Sequence, residues 1–308
     1  MRIYPEERIR RRVVLVAACC MVLSLPGMDR GGDALWTLPF VWAGGAVYVL
    51  AYLRRWRRRL ELARQGLSDE DRRVLRSRVS FYGRLGEGDR RRFEELVAVF
   101  LGEHPISGVD HVRVTREVRL LVAASAVRLV FGRPEWEYPD FGEILIYPGP
   151  FRTDGSYSTE IEDHTMAASG LVHSIGGVII SLPDLYRGFE DETDGYNVGY
   201  HEFAHVLDGR RPDGVPDNLE LGAYRGWAQV MHSEFERVRR GDSLLRGYAG
   251  TTPAEFFACS VEAFFEEPHR MREAAPDLYA QMARYFNQEP GDPPTESGSQ
   301  EKPPTAID

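Results

Sequence analysis

Apolar positions along the chain change their spacing twice, and each change marks a boundary. Two nearly charge-free runs come first, VVLVAACCMVLSL at residues 13–25 and ALWTLPFVWAGGAVYVLAYL at 34–53, with PGMDRGGD between them. From Ser68 the pattern becomes amphipathic. The string S-D-E-D reads as a helix cap opening a helix over 69–82, and apolar residues three and four apart predict further helices over 89–102 and 116–131. Branched aliphatics predict strands at 143–147 and 178–182, after which helical spacing dominates to residue 286. Residues 289–308, EPGDPPTESGSQEKPPTAID, are polar and proline-rich and predict a disordered tail. The expected division is therefore 1–60, 67–288 and 289–308. The middle part is long enough for one substantial core of the α+β kind, mostly helical.

The second apolar run holds about twenty uncharged residues, which at about 1.5 Å each cover a hydrocarbon core of roughly 30 Å. The first run follows Arg10, Arg11 and Arg12 but lacks an A-x-A cleavage site, so a hairpin is favoured over a signal peptide. Arginines 54, 55, 57, 58 and 59 close the second run, while the short loop carries Asp29, Arg30 and Asp33. Aromatic residues Trp36, Trp42, Tyr48, Tyr52 and Trp56 gather near that run's ends. The expectation is a two-helix transmembrane hairpin meeting a lipid bilayer through residues 13–53. By the positive-inside rule both termini face the cytoplasm, giving a multi-pass protein of the cytoplasmic membrane with its main domain in the cytoplasm.

Charge divides the chain in the same place. Residues 1–60 hold eleven arginines and four acidic residues, a net of +7, so the rest carries −16 to reach the chain's −9. So acidic a domain repels polyanions, which excludes nucleic acid as an expected partner. Cys19 and Cys20 are adjacent and Cys259 stands alone, so no disulfide framework can be built and a reducing compartment fits.

One segment specifies a chemistry by spacing alone. In Y-HEFAH-VLD, residues 200–208, His201 and His205 lie one helical turn apart on one face and can offer two imidazoles to one metal ion, with Glu202 beside them as a base. Zinc suits this arrangement, because a tetrahedral ion takes two or three side chains and keeps a position for water. A third ligand is sought in GYAGTTPAEFFACSVEAFF, residues 247–265. Thr252 and Pro253 predict a helix start, and Glu255 falls where it can be either a ligand or the carboxylate of a capping box. Glu262, two turns on, competes for the ligand role or supports a zinc histidine through its other nitrogen. Cys259, at the intervening turn, has the chemistry to ligate zinc, but a single small cysteine in a helix reads first as a buried core residue. Asp208 reads equally as a carboxylate steadying His205 or as a charge in the helix's last turn. Asp194 and Asn197 read as turn or cap residues, and the other histidines show no ligand spacing.

FGEILIYPGPF at 141–151, GYNVGYHEFAHVLD at 195–208 and YAGTTPAEFFACSVEAFF at 248–265 together resemble the Mlc titration factor A family of zinc peptidases. That family is similar in its catalytic core to the anthrax lethal-factor protease. The resemblance covers roughly residues 67–288 and implies a zincin-type metallopeptidase domain with one zinc ion per chain. It implies His201, His205 and Glu255 as ligands, Glu202 as general base and Tyr248 as the group that stabilises the oxyanion. It further implies aminopeptidase-like activity on small substrates; a peptide or protein is the expected substrate, and the sequence itself does not distinguish an aminopeptidase from an endopeptidase. A second reading is a regulatory protein that sequesters a cytoplasmic partner, such as a transcriptional repressor, with zinc serving structure. A closed structural site would have no use for Glu202 or Tyr248.

Overall fold

The computed structural model describes residues 6–29, 38–139, 141–149, 177–216, 218–219, 222 and 224–290. The expected tail from 291 onward, the start of the second apolar run at 34–37 and the last two residues of FGEILIYPGPF lie outside them.

Helices α1 (Glu6–Asp29) and α2 (Leu38–Gln65) pack on each other, and α2 continues onto α5 (Glu87–Glu103). Cys20 is buried with its thiol against the Val41 carbonyl, and Arg8 pairs with Glu137. Farther along α2, buried Arg59 donates two hydrogen bonds of 2.6 Å to Glu103 and lies 4.8 Å over the Trp56 ring. Among the described residues no helix is long and apolar enough to cross a membrane. This overturns the transmembrane hairpin, the bilayer contact through 13–53 and the multi-pass placement in the cytoplasmic membrane. The expectation counted apolar runs without their helical context. The first two turns of α1 carry Arg8, Arg10, Arg11 and Arg12, and the uncharged part of α2 reaches only from Leu38 to Leu53 before its arginines begin. Val14, Leu15, Val22, Phe40, Val47 and Leu50 are exposed on this pair.

The Ser68 cap forms as expected. Ser68 Oγ accepts from the Asp71 amide at 3.1 Å and Asp71 returns the bond to the Ser68 amide, opening α3 (Asp69–Arg78). The single helix expected over 69–82 is broken by buried Val79, whose extended backbone separates α3 from α4 (Ser80–Arg84). Three parallel strands, β1 (Ile106–Gly108), β2 (Ile144–Tyr147) and β3 (Val178–Ser181), form one sheet in the order β1-β2-β3, with Ile106 beside Ile144 and Ile144 beside Val178. β1 was not anticipated, because three residues carry no legible period. Between β1 and β2 runs α6 (Arg116–Val130), capped by Thr115 and buried along almost its whole length.

The second half is helical: α7 (Leu182–Glu190), α8 (Val198–Leu207), α9 (Tyr224–Arg239), a 3₁₀ turn at Gly247–Gly250, α10 (Pro253–Glu266), α11 (Pro268–Ala274) and α12 (Pro276–Phe286). Every residue of α10 from Glu255 to Glu266 is buried, so this helix forms the floor on which the site is built. It packs against α8, which lies in turn against α6, α7 and β3. Gly199 makes the α8–α6 approach close, since a Cβ there would fall on Ser125 Oγ of α6.

Candidate metal centre

α8 begins at Asn197, whose side chain caps the Tyr200 amide at 3.0 Å, and the helix then places His201, Glu202 and His205 one turn deep. α10 begins at Thr252, whose hydroxyl accepts from the Glu255 amide at 3.2 Å. That cap fixes where Glu255 stands, and its carboxylate points across to α8. His201 Nε2 lies 2.9 Å from Glu255 Oε2, His205 Nε2 lies 3.5 Å from the same oxygen, and the two Nε2 atoms are 3.2 Å apart. The Glu255 carboxylate faces the histidines, while the Thr252 hydroxyl keeps its half of the capping box.

Each imidazole is held from behind by a carboxylate. Fully buried Glu262 faces His201 Nδ1, and buried Asp208 faces His205 Nδ1 at 3.4 Å. A carboxylate behind Nδ1 selects the tautomer with its proton there, leaving both Nε2 lone pairs aimed at the same point as Glu255. Two lone pairs and a carboxylate oxygen within 3.5 Å repel one another unless a cation stands among them. The edges also fit one. Ligand atoms about 2.0–2.2 Å from a tetrahedral ion sit about 3.3–3.6 Å apart, close to two of the observed separations, 3.2 and 3.5 Å, with the third shorter at 2.9 Å. Residues of this chain therefore suit a metal ion held by two imidazoles and one carboxylate.

Protonation of the metal-free cluster tells the same story. Burial by itself would depress the His205 pKa, but hydrogen bonds to Asp208 and Glu255 outweigh it and raise it to about 9. His201 is likewise raised, burial being overcome by the Glu262 charge and its hydrogen bonds. Burial pushes Glu255 up, yet its bonds to the two histidines bring it well below the usual carboxylate range. Protons on the histidines thus supply the positive charge that a cation would bring.

Glu202 is buried, and desolvation raises its pKa against the pull of His205, His201 and Arg210. Tyr248, on the 3₁₀ turn, has its ring 6.2 Å from that of His201, and burial followed by the Glu255 charge holds its phenol protonated. All seven residues singled out from the sequence, His201, Glu202, His205, Asp208, Tyr248, Glu255 and Glu262, come together. Asp208 fills both roles left open for it, since it also caps α8 and accepts from the Arg210 amide at 2.7 Å. Asp194 and Asn197 serve as turn and cap, as read.

A family model described as glucose-regulated metallo-peptidase M90 matches residues 53–287. The chain belongs to this family. Similar relatives include an uncharacterized protein of Synechocystis, 31% identical over 230 residues, covering 70% of this chain and 83% of that one. The Mlc titration factor A of Klebsiella pneumoniae is 28% identical over 233 residues, covering 71% and 86% of the two chains. That of Escherichia coli is 31% identical over 224 residues, covering 67% and 82%. M90 membership makes this a metallopeptidase-family protein with a metal-binding centre, and the matched span contains every residue of the cluster above.

Several neighbours were not legible in the sequence. Arg246 pairs with Glu262 at 2.8 Å, and Arg210, in a left-handed conformation with φ 57°, donates to the Gly177 carbonyl just before β3. Cys259 is buried as expected, yet its thiol also lies within 4.8 Å of the ligand-type atoms of His201 and Glu262. Nothing in the spacing of Arg210 and Arg246 points to the site, because both stand outside the helices that carry the ligand-type residues, whereas Cys259 lies on α10 between Glu255 and Glu262.

Proposed function

We propose that this chain is a zinc-dependent peptidase in which His201, His205 and Glu255 hold the ion, Glu202 is the general base and Tyr248 the oxyanion donor. The observation that carries the reading is the convergence of three ligand atoms, each imidazole backed by a carboxylate, beside a buried glutamate and a protonated phenol. Two imidazoles and one carboxylate with an open fourth position are a donor set that zinc favours in catalytic sites. Zinc there supplies the charge that polarises a scissile carbonyl and acidifies an attacking water.

The remaining work falls to side chains. Glu202, a buried carboxylate beside the two histidines whose pKa desolvation raises, is placed to accept a proton from the attacking water and to pass it to the leaving amine. The Tyr248 O–H donates to the carbonyl oxygen as negative charge develops, in a site dry enough for that bond to count. Glu262 and Asp208 fix the two imidazoles so that neither reorients during turnover. Aminopeptidase-like trimming, implied by the sequence resemblance, is the form of hydrolysis we propose. Sequestration of a partner has only the printed name "titration factor" of the relatives behind it.

Metal removal tests the reading. Chelation of the full chain should abolish cleavage of a library of aminoacyl reporters and internally quenched peptides, and stoichiometric zinc should restore it, with the aminoacyl reporters cut. Cleavage that persists after the metal has been stripped would sink the assignment.

A further inference from the structure

We propose that Arg246 is the positioning residue that holds the His201 imidazole and the Tyr248 turn in one register. The inference rests on the zinc reading above and concerns a residue to which that reading gives no role. Arg246 stands immediately before the 3₁₀ turn Gly247–Gly250, and its guanidinium meets Glu262 with a hydrogen bond from Nη2 to Oε1 at 2.9 Å and an ion-pair contact of Nη1 with Oε2 at 2.8 Å that lacks hydrogen-bond geometry. Glu262 is wholly buried on α10. Its Oε1 also accepts from His201 Nδ1, and its Oε2 faces the Asn197 amide at 3.4 Å. A buried carboxylate without compensation is costly, and the planar fork compensates it while fixing its orientation.

The faces of the guanidinium are used as well. It lies 4.7 Å over the Tyr196 ring and 5.9 Å from the Tyr248 ring. One side chain therefore joins three segments: Tyr196 and Asn197 leading into α8, the turn carrying Tyr248, and α10 with Glu262. Arg246 does not face the metal position, since Glu262 and the His201 ring stand between. It acts through them, keeping the Glu262 oxygen aimed at His201 Nδ1 so that Nε2 points to the ion, and keeping Tyr248 beside Glu255. Lysine would supply the charge but neither a second nitrogen against the other Glu262 oxygen nor the flat face that lies over the Tyr196 ring.

The test uses the full chain carrying Arg246→Gln or Arg246→Lys, with Glu262→Gln and the double variant Arg246→Gln/Glu262→Gln as controls. Zinc affinity is read by competition with a chromophoric chelator, coordination by the visible spectrum of the Co2+-loaded protein, folding by circular dichroism, and kcat apart from KM. For Arg246→Gln the expected result is zinc affinity weakened about 10–100-fold, an altered Co2+ spectrum, and a fall in kcat at nearly constant KM. Arg246→Lys should recover only part of this. If Arg246→Gln fails to fold, the neutral double variant decides: zinc binding no weaker than in wild type would overturn the inference. A folded Arg246→Gln with wild-type zinc affinity and Co2+ spectrum overturns it too, even if its melting temperature drops. Tight zinc in wild type together with unchanged Arg246 variants sinks this inference alone. A wild-type chain that binds no zinc sinks both it and the reading beneath it.

Discussion

Residue by residue, the proposed function separates holding a metal from acting on a substrate, and substitutions should separate them too. Glu255→Ala removes the only carboxylate among the three converging groups. It should weaken zinc affinity by at least about 10–100-fold, measured by chelator competition. Wild-type affinity in a folded Glu255→Ala would show that the carboxylate is only a remnant of the helix cap. Tyr248→Phe removes a hydrogen-bond donor without a ligand. It should keep full zinc and lose about 10²–10³-fold in kcat, and an unchanged kcat would remove the oxyanion role. His201 and His205 were legible together because helical spacing alone puts them on one face, with Glu202 next along the same turn. The sequence left Glu255 between cap and ligand, since three residues after a threonine cap is where either role would place a glutamate. Arg246 was invisible because its partner Glu262 is sixteen residues away on another element.

At the level of elements, the site depends on how α8 and α10 begin and on how closely α8 approaches α6. Thr252→Ala deletes the acceptor for the Glu255 amide. It should cost about 1 kcal/mol of stability, seen in denaturant unfolding, together with weaker zinc binding because Glu255 sits in that first turn. A stability loss with zinc affinity untouched would mean that the cap does not set the position of Glu255. Gly199→Ala would force a methyl onto Ser125 Oγ, and about 1–3 kcal/mol should be lost. Caps at Ser68 and Thr252, the latter followed by Pro253 as first helical residue, were legible because capping is a local chemistry of a few adjacent residues. Helix and sheet limits set by tertiary packing were not, as the break at buried Val79 and the three-residue β1 show. The apolar runs near the start failed in a further way: length and hydrophobicity suggested a membrane hairpin, whereas the arginines of α1 and α2 lie inside the helices themselves.

Across the whole molecule, the acidic interior beneath the site should leave its mark on stability. Glu266 on α10 accepts from the Asn197 side chain, and burial, reinforced by Glu262, Asp194 and Glu192, raises its pKa to about 9. Below the ordinary glutamate pKa the group is protonated whether the chain is folded or unfolded, so it does not bias folding. Between that value and about 9 the folded chain keeps a proton that the unfolded chain has lost, so stability falls as pH rises through this window. Glu266→Gln should flatten that decline and raise the melting temperature at pH 8 relative to pH 5; an identical slope in both proteins would contradict the burial argument. The central claim, that a metal-holding cluster in this M90 chain hydrolyses peptides through Glu202, is tested most directly by zinc content and peptide hydrolysis measured on the same preparations of wild type and Glu202→Gln. The account predicts about one zinc per chain in both proteins and hydrolysis by the wild type alone. Hydrolysis retained by zinc-loaded Glu202→Gln, or none by zinc-loaded wild type, would contradict it.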